Sequence, residues 1–146
     1  MNPLSSKTVN PSYIIDQKQY LSILLAKLMI IASLILNILV LIPVCIALIG
    51  DFKKIQKVAG SFTPARGILL SMYLTILIAS ILLLFFQQPI LAFALFSMQI
   101  VYKIISPITV RTIKNPIVIS NLFIALFHLI TVIIMLKSGT FELTNP

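Results

Sequence analysis

Acid is what this sequence most nearly lacks. Three residues of 146 are acidic, Asp16, Asp51 and Glu142, against 11 Lys and Arg, and none lies inside a long apolar segment. A proton- or cation-coupled transporter normally carries an intramembrane carboxylate, so that class is disfavoured. One histidine, His128, cannot build the clustered His, Asp or Glu site of a membrane metalloenzyme. The single Cys45 allows no internal disulfide and reads as a small packing residue near one membrane face. Tryptophan is missing, and the four glycines form no phosphate-cradling loop. No nucleophile–base pair or paired carboxylates remain for an enzyme, so the expectation is that the chain is not one.

Charge itself is scarce. Only 10% of residues are charged while 60% are apolar, where a soluble domain would carry about 25% charged residues. With a mean hydropathy of +1.13, the composition belongs to a bilayer solvent. The expected fold class is all-α, an integral membrane bundle of four transmembrane helices with short loops. The net charge of +8 reads as a positive-inside bias with attraction to anionic lipid headgroups, not as a nucleic-acid surface, because most basic residues fall in loops or at helix ends.

Residues 1–20 hold two prolines and several polar side chains and are expected to form an extended arm. The apolar run that follows is too long for the core of a cleavable signal peptide, so the first helix is expected to stay as a signal-anchor. A helix from Leu21 to Ile49 would be about 43 Å long, more than a core of roughly 30 Å requires, and Pro43 offers a place to bend. The transmembrane domain is placed at 21–137, with helices at about 21–50, 68–86, 90–105 and 117–136 and a short tail at 138–146. Asp51 to Gly67 is a basic loop with one short amphipathic turn at Phe52 to Val58. Gln87 and Gln88 make a tight turn before Pro89, and Ser106 to Pro116 forms a second basic loop. Lys103, in the last turn of the third helix, is expected to snorkel to the headgroups.

The two basic connections contain Lys53, Lys54, Lys57, Arg66, Lys103, Arg111 and Lys114, read as contacts to lipid or to an acidic partner. The opposite face has Lys7, Lys18, Lys27 and Lys137. Counting basic residues puts both loops in the cytoplasm and both termini outside.

Polar residues at membrane depth are the candidate functional positions: Asn37, Thr75, Ser80, Gln99 and His128. Ser22, Ala26, Ser33 and Asn37 share one face of the first helix, within about 60° of each other at 100° per residue. Such a stripe suits close helix approach, either inside the bundle or against a partner. Ala92, Ala94 and Ser97 offer a looser equivalent. In the partner reading, leucine at Ser33 and Asn37 releases the partner and leaves insertion intact. His128 offers a ring nitrogen to haem or chlorophyll, or, more simply, a hydrogen bond to Asn37 or Gln99.

Val101-Tyr102-Lys103 through Pro107, with Asn115-Pro116-Ile117-Val118-Ile119-Ser120-Asn121 onward to His128, resembles segments of small uncharacterised polytopic membrane proteins of cyanobacteria. The resemblance covers the last third of the chain and implies a thylakoid or bacterial plasma membrane. It implies no activity and no functional residues.

Three functions fit these residues. The first is a non-catalytic accessory or assembly subunit of a larger integral membrane complex, using helix packing and basic loops. The second is a homo-oligomeric channel or small transporter for a neutral solute or ion, lined by Asn37, Thr75, Ser80 and Gln99. The third is a haem- or chlorophyll-binding subunit using His128.

Overall fold

In the computed structural model, residues 11–141 are described, with side chains from Ile15 onward. Five helices and no strands occur among these residues: α1 (Pro11–Ile49), α2 (Lys53–Ala59), α3 (Pro64–Phe86), α4 (Pro89–Val110) and α5 (Pro116–Lys137). All but α2 are long and apolar enough to cross a membrane. Their outward surfaces are rich in exposed Leu, Ile and Phe, the reverse of a water-soluble bundle and compatible with a multi-pass integral membrane protein.

Helix starts are written in proline and in caps. Pro64, Pro89 and Pro116 each open a helix, where a missing N–H costs nothing. The Thr63 hydroxyl accepts from the Arg66 amide (3.2 Å) and the Asn115 side chain from the Ile117 amide (2.9 Å). Pro11 behaves likewise and begins α1. The extended arm expected at 1–20 is therefore helical from residue 11, because proline in a first turn starts a helix as readily as it ends one. Residues 1–10 of that arm, with Lys7, lie outside the described residues, as does the tail from Glu142.

Two helices run through an internal proline. α1 continues past Pro43 to Ile49, and α4 continues past Pro107 to Val110, five residues beyond its expected end. Pro107 leaves the Lys103 carbonyl without its helical donor, and the Ser106 hydroxyl donates to that carbonyl instead (2.8 Å). A local side-chain donor thus keeps the turn satisfied.

Around the bundle, α1 contacts α3 and α5, α4 lies most extensively against α5, and α3 meets α4 more sparingly. The two-residue connection makes α3 and α4 antiparallel, and every helix runs opposite to its neighbours. The core stripe of α1 is Ala26, Ile30, Ser33, Leu34, Asn37, Leu41, Cys45 and Leu48, spaced by threes and fours as one helical face demands. Residues 138–141 turn back over one end of the bundle. Ser138 hydrogen-bonds to the Met135 carbonyl (3.0 Å) and to Thr140, and Phe141 meets Phe93 edge to face at 5.4 Å.

Candidate functional site

The bundle interior is polar at three levels. At its middle, Asn37 of α1 accepts from His128 Nε2 on α5 (3.0 Å) and donates to Ser80 Oγ on α3 (3.1 Å). One amide ties three helices together. One turn along α1, the Ser33 and Thr131 hydroxyls hydrogen-bond at 2.8 Å. Phe96 of α4 stacks on the His128 ring, centroids 4.8 Å apart and planes 24° apart. Ser33, Asn37, Ser80, Gln99, His128 and Thr131 are all at most 1% exposed, and both amide atoms of Gln99 and Nδ1 of His128 have no protein partner.

Nearer the α4–α5 connection, Lys103 Nζ donates to Asn121 Oδ1 (3.2 Å) and lies 5.0 Å from the Tyr102 ring centroid. Lys103 is only 2% exposed. The snorkelling expected from its place near the helix end does not occur: α4 runs on for seven residues, and Lys103 shares the inward stripe of Phe96, Gln99 and Ser106. Its side chain therefore points at α5 and not at headgroups.

The third level is a clamp at the helix ends. Arg66 Nη1 bonds Asp51 Oδ1 (2.5 Å) and the Gly60 carbonyl (2.9 Å), while Nη2 donates to the Leu48 carbonyl (3.2 Å). Gln56 Nε2 also donates to Asp51 Oδ2 (2.9 Å). The Arg66 hydrogen bond, then that of Gln56, holds the Asp51 carboxyl below the usual carboxylate range. Arg66 is 4% exposed, so its expected contact with lipid or an acidic partner is replaced by these internal ones. Asn115 Nδ2 donates to the Val58 carbonyl (3.0 Å) and fastens α2 against the start of α5.

Of the face expected on α1, Ala26, Ser33 and Asn37 are buried in the bundle, whereas Ser22 bonds the Gln19 carbonyl of its own helix (2.7 Å). The face is used internally, so leucine at Ser33 and Asn37 would disturb the bundle before it reached any partner. Ala92 is buried and Ala94 faces outward. Thr75 also faces outward, donating to the Ser71 carbonyl (2.9 Å), and drops out of the polar lining. Lys53, Lys54, Lys57, Arg111 and Lys114 remain exposed.

A haem or chlorophyll does not fit at His128. The imidazole is fully enclosed, one nitrogen is held by Asn37 and one ring face is covered by Phe96. Nδ1 has no hydrogen-bond partner but is equally enclosed, so a planar macrocycle could reach either nitrogen only by parting the helices around the ring.

Sequence reasoning missed Tyr73, Asn121 and Thr131 as parts of this interior. A helical wheel on α5 puts Asn121, His128 and Thr131 on one side, which was the available signal. Comparison with family models, curated proteins and solved structures finds no match to the chain.

Proposed function

We propose that this protein is a non-catalytic membrane subunit that docks on a larger integral membrane complex through the outward face of α1. One observation carries the reading: α1 outruns its bundle. Asn37 is level with Ser80, so Phe86 ends α3 near the level of Ile31. Thr131 is level with Ser33, which puts Lys137 near Lys27. From Pro11 to about Leu25, roughly 15 residues or ~22 Å of helix stand largely clear of α3 and α5.

This projection is not polar all round. Leu21, Leu24, Leu25 and Leu28 are 65%, 41%, 48% and 56% exposed and fall within about 100° of one another on the wheel. A leucine stripe on a spanning helix is ordinary in lipid. Continued beyond the ends of its neighbours, it marks a surface for another protein. The polar core supports a docking role over a channel, since its groups bond each other across helices instead of lining an open path.

For orientation we take both basic connections as cytoplasmic. Among the described residues, five exposed basic ones, Lys53, Lys54, Lys57, Arg111 and Lys114, lie at that end, against Lys18, Lys27 and Lys137 at the other. A bacterial plasma membrane or thylakoid is the setting that the cyanobacterial resemblance favours. Cysteine introduced at Lys114 should react with an impermeant maleimide only from the cytoplasmic side; labelling from outside reverses the topology.

The docking reading is tested by purifying a C-terminally tagged copy in mild detergent and counting co-eluting chains. Foreign subunits should arrive at fixed ratio. The triple change Leu21→Asp, Leu24→Asp and Leu25→Asp should lower their recovery at least tenfold without changing insertion or melting temperature. Elution of the wild type with copies of itself alone defeats the reading, and full recovery with the triple variant removes α1 as the interface.

A further inference from the structure

Beneath α2, the end of the bundle holds a buried cation, Lys103, that no acid among the described residues neutralises. No Asp or Glu occurs between Phe52 and Phe141, and Asp51 is engaged by Arg66 and Gln56. An ammonium has three donors, of which Lys103 gives one to Asn121. It borders a cavity of about 280 Å³ with Tyr73 and Asn121. A second cavity, of about 520 Å³, shares Val58, Tyr73, Ile117 and Asn121 with the first and reaches Tyr102 and Ser106. That larger volume lies within the roughly 300–1,000 Å³ usual for small-ligand sites. The Tyr102 hydroxyl is enclosed and has no protein partner. Two Lys103 donors and the Tyr102 hydroxyl thus have no hydrogen-bond partner here, and most of the remaining wall is apolar, among it Leu69, Met72, Val101 and Ile105.

From this we infer that the cleft between α2, α3, α4 and α5 binds an amphipathic anion, its head on the Lys103 ammonium and its chain along the apolar wall. Charge selects the head, because a cation out of water needs an opposite charge or a full set of acceptors and has here one hydrogen-bond acceptor and the face of the Tyr102 ring. The wall selects the tail. Val101 and Ile105 are 58% and 44% exposed, so the cleft opens sideways, on the surface the bundle offers to lipid. Lys103 lies seven residues before the end of α4, about 10 Å along the helix, so the head enters below the level of the surface lysines. A free fatty acid and an anionic phospholipid share this chemistry.

The test uses the purified full chain in a neutral maltoside detergent, with binding followed by native mass spectrometry and by melting temperature. Oleate should bind and raise the melting temperature, and oleyl alcohol, with the same chain and no charge, should do neither. Dioleoylphosphatidylglycerol against dioleoylphosphatidylcholine gives the second arm. Binding of either anion over its neutral counterpart supports the site, and whichever anion binds identifies the source. Lys103→Met keeps most of the length of the unbranched side chain without its charge and should weaken anion binding at least tenfold. Equal binding of acid and alcohol overturns the proposal using wild-type protein alone, as does unchanged anion binding by a folded Lys103→Met variant or no binding of any anion.

Discussion

Replacing Asn37 with leucine should lower the stability of the bundle by about 3 kcal/mol, although the volume changes little. The substitution removes the partner of His128 Nε2 and the donor to Ser80 Oγ. Each stranded buried group costs roughly 1–3 kcal/mol. The lower end of that range fits helix pairs in lipid, where measured hydrogen bonds average about 0.6 kcal/mol and reach about 1.7. His128 then retains no hydrogen-bond partner, since Nδ1 has none already. Unfolding of the detergent-solubilised protein by graded denaturant should show the loss. A double-mutant cycle with His128→Leu isolates the pair: the two changes together should cost about 1 kcal/mol less than their sum. Strict additivity would mean that the Asn37–His128 bond contributes nothing.

Arg66→Met should have an effect of similar size by a different route. The guanidinium joins the end of α1, the α2–α3 connection and Asp51 through three bonds, while its own side chain is almost fully covered. Removing it leaves the Leu48 and Gly60 carbonyls without a charged donor, a loss on the order of 3 kcal/mol. Proteolysis between Asp51 and Thr63 should accelerate with it, because this clamp and the Asn115–Val58 bond, together with the packing of Ile55 and Ala59, fasten α2 to the bundle. A variant that melts and cleaves like the wild type would show the clamp to be ornamental.

The same clamp sets a pH dependence. Asp51 has its folded pKa depressed by Arg66 and Gln56, so its contribution is complete above the unfolded carboxylate value of about 3.9. It declines as pH falls through the lower folded value. The stability difference between wild type and Asp51→Asn should therefore be constant at neutral pH and shrink on acidification below about pH 4. A difference that grew on acidification would have the wrong sign for this pairing.

Hydropathy and punctuation determined the bundle itself. Four apolar segments, Pro89 at a helix start and the Gln87–Gln88 turn are local features, legible because a backbone that satisfies its own hydrogen bonds has few other choices in an apolar solvent. Pro64 and Pro116, by contrast, read as loop residues in sequence and open α3 and α5. Composition also limited the chemistry, since an acid missing from the spans is missing in every fold. Pro11 and Pro107 were misread for the same local reason: proline disfavours a helix interior, yet Pro11 opens a first turn and Ser106 supplies what Pro107 withholds. Tertiary structure decided where the polar side chains went. Lys103 and Arg66 look like surface charges in sequence, and both turned inward because helix register brought Asn121 to one and Asp51 to the other. Asn37 could have met a partner, a pore or a neighbour until α3 and α5 brought Ser80 and His128 within 3.1 Å of it. A periodic pattern fixes which face of a helix is buried; what that face meets depends on register between segments 40 to 90 residues apart, and no local pattern encodes it.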